Sequence, residues 1–306
     1  HAGGAAMSAA QAARQVPTAF GMDTITLPGT LEAKLEAMQR AGFEQVMLKA
    51  NDLVGHPGGV EAAVRAVKAS GLRVTGFQVL RDFEGLSGHL HDYKVEVAKS
   101  MLELCATLES RLLLVCSSTS VHASHDLDHL AADLRKLSML ALPLGIKIAY
   151  EALSWGRVVN QFTTAWDVVC RADAPNLGLG IDSFHIFAAG TPIEEIDYID
   201  PEKILLVQLS DFMWQETKTF AERIATARTF RVFPGEGVHS QQLVDLVLRL
   251  NALRYTGDYS FEVFNEDYLQ MPLPNVVQQA KRSALWLADD VLRSSVPFPN
   301  SLRLRA

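Results

Sequence analysis

Cysteine is scarce in this chain: three residues of 306, at positions 105, 116 and 170, far apart and set among apolar neighbours. An odd, scattered set leaves no disulfide framework and no cysteine-based zinc site to build. Cys105, Cys116 and Cys170 therefore read as reduced core thiols of a cytoplasmic protein. Excess positive charge is also lacking, since 28 Lys and Arg stand against 35 Asp and Glu for a formal net charge of −7. Non-specific binding to phosphate backbones draws on clustered cations, so nucleic acid is not an expected partner.

No stretch reaches the roughly eighteen consecutive apolar residues of a membrane helix, and no membrane partner is expected. Residues 1–16 are rich in Ala and Gly and lack both the basic and the apolar region of a secretory signal. They are expected to form a flexible segment, with Met7 as the natural start and residues 1–6 as a tag. No Gly-x-Gly-x-x-Gly opens a helix after the first strand, which argues against a doubly wound dinucleotide-binding sheet.

What the chain has in quantity is alternation. Hydrophobic residues make up 48% of it and fall into short apolar runs separated by helix-like segments. Strands are predicted over residues 18–26, 45–48, 73–79, 112–116, 146–150, 177–181, 203–209 and 259–264. Helices are predicted over 31–41, 59–70, 91–108, 126–142, 162–172, 193–198, 240–253 and 275–292. Gly71 is a typical helix stop, and a long loop precedes residue 240. Eight of each predict an α/β fold, a single (β/α)8 TIM barrel over 17–295. The tail 296–306 is expected to cover a barrel end or a partner subunit, and a homo-oligomer is compatible with this.

In such a barrel the C-terminal strand ends share one rim. Glu151, Asp182, Gln208 and Glu262 end the last four strands, so residues far apart in sequence converge. Alone, each reads equally as a helix cap or a solvated charge. Together, three inward carboxylates and an amide would repel and desolvate one another without a cation. Oxygen donors without cysteine favour Mg²⁺ or Mn²⁺, with Co²⁺ or Zn²⁺ as alternatives. His125 and His129 have the spacing of a helical metal pair but no acidic or cysteine partner close in sequence.

Six stretches carry a resemblance: Phe-Gln-Val-Leu-Arg-Asp-Phe-Glu-Gly (77–85), Tyr-Glu-Ala-Leu-Ser-Trp-Gly-Arg (150–157), Ile-Asp-Ser-Phe-His (181–185), Val-Gln-Leu-Ser-Asp (207–211), Phe-Arg-Val-Phe-Pro-Gly-Glu-Gly (230–237) and Phe-Glu-Val-Phe-Asn (261–265). The chain resembles the xylose-isomerase-like TIM-barrel superfamily of sugar isomerases and epimerases. Within it, the chain is most similar to bacterial 3-dehydroshikimate dehydratases. The resemblance implies that Glu151, Asp182, Gln208 and Glu262 are metal ligands, and Gln208 stands where epimerases usually place His. It implies an acid/base role for His185, and substrate contacts for Arg81 and Arg231. Two departures concern the substrate: Met47 replaces a Glu, with Lys49 on the same face, and Ala227 and Thr229 alter a Ser-Arg-His-aromatic-Arg motif.

His185 suits proton transfer near neutrality; its alternative is a core histidine that orients Asp182. Glu262 is the second candidate base. Arg81, Arg231, Arg228 and Lys49 suit anion recognition, although for Arg228 and Lys49 a surface salt bridge is an equal reading. Trp155 reads as a packing residue, with walling a pocket as its alternative, and Pro234 to Gly237 reads as a tight turn near the ligand or equally as a structural loop. Three functions follow. The first is a metal-dependent dehydratase that converts 3-dehydroshikimate, or a similar cyclic keto acid, to protocatechuate through a metal-stabilised enolate. The second is a sugar or keto-acid isomerase or epimerase, and the third a non-enzymatic binding barrel, which requires a broken metal set.

Overall fold

The computed structural model describes residues 7–293. Its eight strands are β1 (Phe20–Asp23), β2 (Gln45–Lys49), β3 (Arg73–Leu80), β4 (Leu112–Cys116), β5 (Lys147–Glu151), β6 (Leu177–Asp182), β7 (Ile204–Leu209) and β8 (Tyr259–Phe261). They close in sequence order into one barrel, and every neighbouring pair, β1 with β8 included, is parallel. The helices are α1 (Ala9–Ala13), α2 (Leu31–Ala41), α3 (Ala50–Val54), α4 (Val60–Ser70), α5 (Gly88–Thr107), α6 (Leu127–Ala141), α7 (Phe162–Ala172), α8 (Ser183–Ala189), α9 (Phe220–Thr229), α10 (Ser240–Ala252) and α11 (Leu273–Leu285).

Local chemistry sets the element ends. Thr30 caps α2 by accepting the Ala33 N–H, and Gly42 ends it with φ of 98°, a left-handed conformation in which glycine meets no steric penalty. Leu31, Leu35 and Met38 of α2 join the large core between strands and helices. A second, smaller apolar cluster of Met47, Leu112, Leu114, Ala149 and Leu206 fills the barrel itself. Gly180 makes room for it, since a Cβ there would lie 2.8 Å from Leu114 Cδ1.

Alternate residues of a strand share a face, so two residues beyond this floor the next inward positions are Lys49, Cys116, Glu151 and Gln208. Register places Asp182 beside Gln208 and Gln78 beside Lys49. The barrel thus carries an apolar floor and, above it, a polar tier at the C-terminal rim.

Several boundaries differ from the sequence reading. The residue after Asp182 was expected to enter a loop, but α8 starts there at once; the predicted helix over 193–198 is a 3-10 helix. Every residue of α8 except Ala189 is buried, so its sequence shows no amphipathic stripe. The expected long loop before residue 240 contains α9, of which only Thr226 and Ala227 are buried. Residues 24–26 form a 3-10 turn rather than the end of the first strand. Within the segment expected to be flexible, α1 is capped by Ser8 and Arg14 pairs with Asp289. Residues 1–6 and the tail 296–306 lie outside the described residues. Among the described residues no helix is long and apolar enough to cross a membrane.

A buried acid with a raised pKa also lies outside the barrel. Glu84, in the loop after β3, accepts hydrogen bonds from the Tyr150 hydroxyl and the Ser118 N–H. Burial pushes its carboxyl from 4.5 up to about 7, against those two bonds, which hold it down. Stability from a raised carboxyl is complete below its unfolded pKa and is lost as pH rises through its folded one. The window here is 4.5 to 7, and the loss is on the order of 3 kcal/mol. Glu84→Gln is expected to lack that loss. Urea unfolding from pH 4.5 to 8 should show wild-type stability falling relative to the variant, whereas parallel profiles would mean that Glu84 is ionised in the fold throughout.

Candidate active site

The polar tier is built from strand ends. Asp182 closes β6 and caps α8, its Oδ1 accepting the Phe184 N–H at 2.9 Å. Its Oδ2 accepts from Arg231 Nη1 at 2.9 Å and lies 3.6 Å from His185 Nε2. Glu151, at the end of β5, places Oε2 3.7 Å from His185 Nε2 and 3.5 Å from the Cys116 thiol. Glu262, one residue past β8, lies 3.8 Å from Arg231 Nη1. Gln208 of β7 donates its amide to Met47 Sδ at 3.8 Å, which ties the tier to the apolar floor.

His185 is oriented by its neighbours. Nδ1 accepts the Ser154 N–H at 3.0 Å and lies 3.0 Å from the Ser154 hydroxyl. With Nδ1 as acceptor, the proton of the neutral ring sits on Nε2, so the ring presents a donor to Glu151 and Asp182. The Trp155 and Phe184 rings meet it edge-on, with centroids 5.2 and 5.3 Å away. Burial lowers the imidazole from 6.5 to about 4, although Asp182 pulls the other way.

The carboxylates are crowded. Burial, and then the Asp182 and Glu262 charges, raise Glu151 well above the usual carboxylate range. Burial pushes Glu262 up to about 7, with the Arg231 charge opposing. Asp23, at the end of β1, is raised by burial and by Glu262. Burial works against the Arg231 charge, but Asp182 and Glu262 outweigh it and hold the guanidinium above its ordinary value.

The four expected ligands thus share one tier with His185, and the expected cations divide. Arg231 is 3% exposed and sandwiched between Phe184 and Phe264. It bonds Asp182, Ser210 and the carbonyls of Ala227 and Glu262, so it braces the carboxylates. Arg81 is exposed, yet its charge acts on His185 and Glu262. Arg228, in the last turn of α9, is exposed, and Lys49 is half-buried. Met47 is fully buried in the barrel floor. Glycines of the turn at 234–237 pack on protein groups, with Gly235 against Trp286 and Gly237 against Asp211. His129 pairs with Asp133, 3.4 Å away, rather than with His125. Sequence reasoning missed Asp23, Gln78, Cys116 and Ser154, although strand alternation alone would place Cys116 on the face of Leu114.

An observation on these residues bears on a metal. Glu151 Oε1 and Gln208 Oε1 are buried and accept no hydrogen bond among the described residues. An unsatisfied buried acceptor costs about 1–3 kcal/mol, more when charged, and an oxygen-preferring cation would satisfy both. One donor atom each from Glu151, Asp182 and His185 lies within 4.8 Å of the others. Because His185 presents N–H to this group, the oxygen set of Glu151, Asp182, Gln208 and Glu262 fits an ion better than a set including the imidazole. A cavity of about 540 Å³ beside α8 and α10 is lined by Phe187, Arg223 and His239 but by none of these ligands. His239 is bound there to Asp211 at 2.6 Å.

Comparison with known proteins agrees with the barrel architecture. A family model described as Xylose isomerase-like TIM barrel matches residues 35–289. The chain is 37% identical over 266 residues to a 3-dehydroshikimate dehydratase of Pseudomonas aeruginosa, covering 87% of this chain and 41% of that protein. It is 29% identical over 202 residues to an inosose isomerase of Bacillus subtilis, covering 64% of this chain and 69% of that protein. A solved xylose isomerase-like TIM barrel/4-hydroxyphenylpyruvate dioxygenase fusion protein has a TM-score of 0.83 and 33% identity, covering 90% of this chain and 43% of that one. The chain spans about two fifths of the length of the dehydratase and of the fusion protein. A match over most of the barrel decides the family: this chain belongs to the xylose isomerase-like TIM barrels.

Proposed function

We propose that this chain is a divalent-metal-dependent dehydratase that converts 3-dehydroshikimate, or a similar cyclic keto acid, to protocatechuate. The observation that carries the reading is the set of inward oxygen donors with two unsatisfied acceptors, Glu151 Oε1 and Gln208 Oε1, in a chain 37% identical to a named dehydratase. Glu151, Asp182, Gln208 and Glu262 would hold the ion, Mg²⁺ or Mn²⁺ before Co²⁺ or Zn²⁺. When bound, the ion supplies Lewis-acid stabilisation of the negative charge that develops on a substrate ketone oxygen.

The chain's own groups move the protons. Glu262, raised toward neutrality, is the base that takes the proton beside the ketone. The electron pair left behind forms the new double bond as the β-hydroxyl departs. The proton taken by Glu262 passes to that hydroxyl, so water leaves and aromatisation follows, while neutral His185 steadies the departing oxygen with its Nε2 N–H. Arg231 keeps Asp182 and Glu262 in place, while Arg81, exposed after β3, and Arg228, exposed in the last turn of α9, are offered to the substrate's hydroxyl groups. Buried free thiols at Cys105 and Cys116 support a reducing, cytoplasmic setting.

An isomerase or epimerase is the second reading, favoured by Met47 in place of an acidic side chain and by the inosose isomerase relative. It shares proton removal by Glu262 and differs in returning the proton to carbon.

Chelator-treated protein is expected to form no protocatechuate by ultraviolet assay and to regain activity with Mg²⁺, Mn²⁺ or Co²⁺. Glu262→Gln should lower kcat by at least about a hundredfold. Absence of product from a metal-loaded wild type would refute the dehydratase.

Metal content gives an independent reading. Wild type should hold about one equivalent of divalent metal, and Glu151→Gln and Gln208→Leu should hold less after dialysis. Unchanged content in both variants would place the ion elsewhere.

His185 should remain neutral throughout pH 5–8 in the metal-free protein, with ring resonances that move only toward pH 4. A midpoint above 6 by NMR would contradict the buried, Ser154-locked ring. His185→Ala is expected to lower kcat by about a hundredfold or more.

A further inference from the structure

A lysine occupies a core position of α2. Leu31, Leu35 and Met38 follow the three- and four-residue spacing of a buried helical stripe, and Lys34 falls within that stripe at 8% exposure. Lysine is almost never so buried without a partner. Yet Lys34 Nζ makes no hydrogen bond and no ion pair among the described residues. Burial lowers its ammonium below the ordinary lysine value, and the nearby Asp52 charge pulls it back only in part.

Lys34 lines a cavity of about 230 Å³ with Lys49, Thr30 and His56. The Lys49 ammonium is likewise without a hydrogen bond or ion pair among the described residues. Two cations on one small cavity repel each other, and the Lys49 charge adds to the lowering of the Lys34 ammonium. The cavity also opens on the first turn of α2, at Thr30 and Leu31, where the helix end favours negative charge. Its two acids are already engaged. Glu32 is bound by His56, and Asp52 accepts from the Thr24 hydroxyl and the Lys49 N–H.

We propose that Lys34 and Lys49 form an oxyanion subsite that takes a carboxylate or phosphate group. The subsite adjoins the polar tier: Lys49 pairs in register with Gln78, Gln78 donates to Asp23, and Asp23 feels the charges of both Lys49 and Glu262. An acidic substrate anchored there by its anionic end lies against the β1–β3 side of the rim. A free oxyanion bound at the same two ammonium groups is the other source of this chemistry.

The test uses the full chain with inorganic phosphate as the probe. Calorimetric titration is expected to show binding to wild type that weakens at least tenfold in Lys34→Met and in Lys49→Met and is retained in Lys34→Arg, with melting curves run alongside. Should Lys34→Met fail to fold, Lys49→Met and Lys34→Arg carry the comparison. No binding to wild type, or equal binding by wild type and Lys49→Met, would overturn the subsite. This arm is independent of the dehydratase reading. A second arm rests on that reading: phosphate that competes with 3-dehydroshikimate, with KM in Lys34→Met rising more than kcat falls, identifies the substrate's own carboxylate as the occupant. Binding without competition identifies a free oxyanion. Failure of turnover with phosphate binding intact removes the dehydratase and leaves the subsite standing.

Discussion

The structure turns on the crowding of negative charge at one end of a closed barrel. Glu151, Asp182 and Glu262 are all at most 4% exposed, and burial first, then the Asp182 and Glu262 charges, raise Glu151 well above the usual carboxylate range. Buried charges of like sign persist only with compensation. Arg231 supplies part of it by pairing with Asp182 and lying near Glu262. One guanidinium cannot balance three carboxylates, and the unsatisfied oxygens of Glu151 and Gln208 mark where the balance is incomplete. A divalent ion is the economical completion, because it accepts oxygen donors from several strands at once.

The barrel makes that crowding possible through alternation and register. A floor of Met47, Leu112, Leu114, Ala149 and Leu206 fills the interior, and the next inward residues on the same strands have nowhere to point but up into the rim. Glycine at 180 lets Leu114 reach the axis beneath Asp182. Without the floor the polar tier would be open to water from below and its donors would not be held at fixed spacing. The Gln208 amide resting on Met47 Sδ joins the two layers directly. It also explains how a methionine can occupy the second strand without leaving a void beneath the site.

Much of this was legible in the sequence, for physical reasons that differ by element. Strands β4 and β7 are nearly unbroken apolar runs, as buried parallel strands are, and α2 and α7 carry clear stripes with glycine or polar ends. The helix after Asp182 was not legible, because Ser183 to Ala188 are buried on every side and carry no period. The convergence of Glu151, Asp182, Gln208 and Glu262 on one tier was visible since each closes an apolar run. Asp23 and Gln78 were hidden: the first strand is only four residues long, and Gln78 lies mid-strand. The surroundings of Arg231 were hidden for another reason. Nothing in Phe-Arg-Val says that Phe184 and Phe264 will enclose the guanidinium and aim it at the protein's own carboxylates.

The rim is therefore two-sided. On the β5–β8 side Arg231 is buried and occupied with holding acids in place, which suits the proposed metal and proton transfer. On the β1–β3 side the ammonium groups of Lys34 and Lys49 make no hydrogen bond or ion pair among the described residues, and the neighbouring acids Asp52 and Glu32 are engaged by hydroxyl, amide and imidazole groups. A neutral sugar would gain little from two unpaired ammonium groups, whereas an acidic substrate bridging both sides would neutralise one pole while its ketone faces the other. On the proposed keto-acid reading, that polarity is what would set an acidic substrate apart from a neutral sugar on a common barrel, and it resides in residues outside the proposed ligand set.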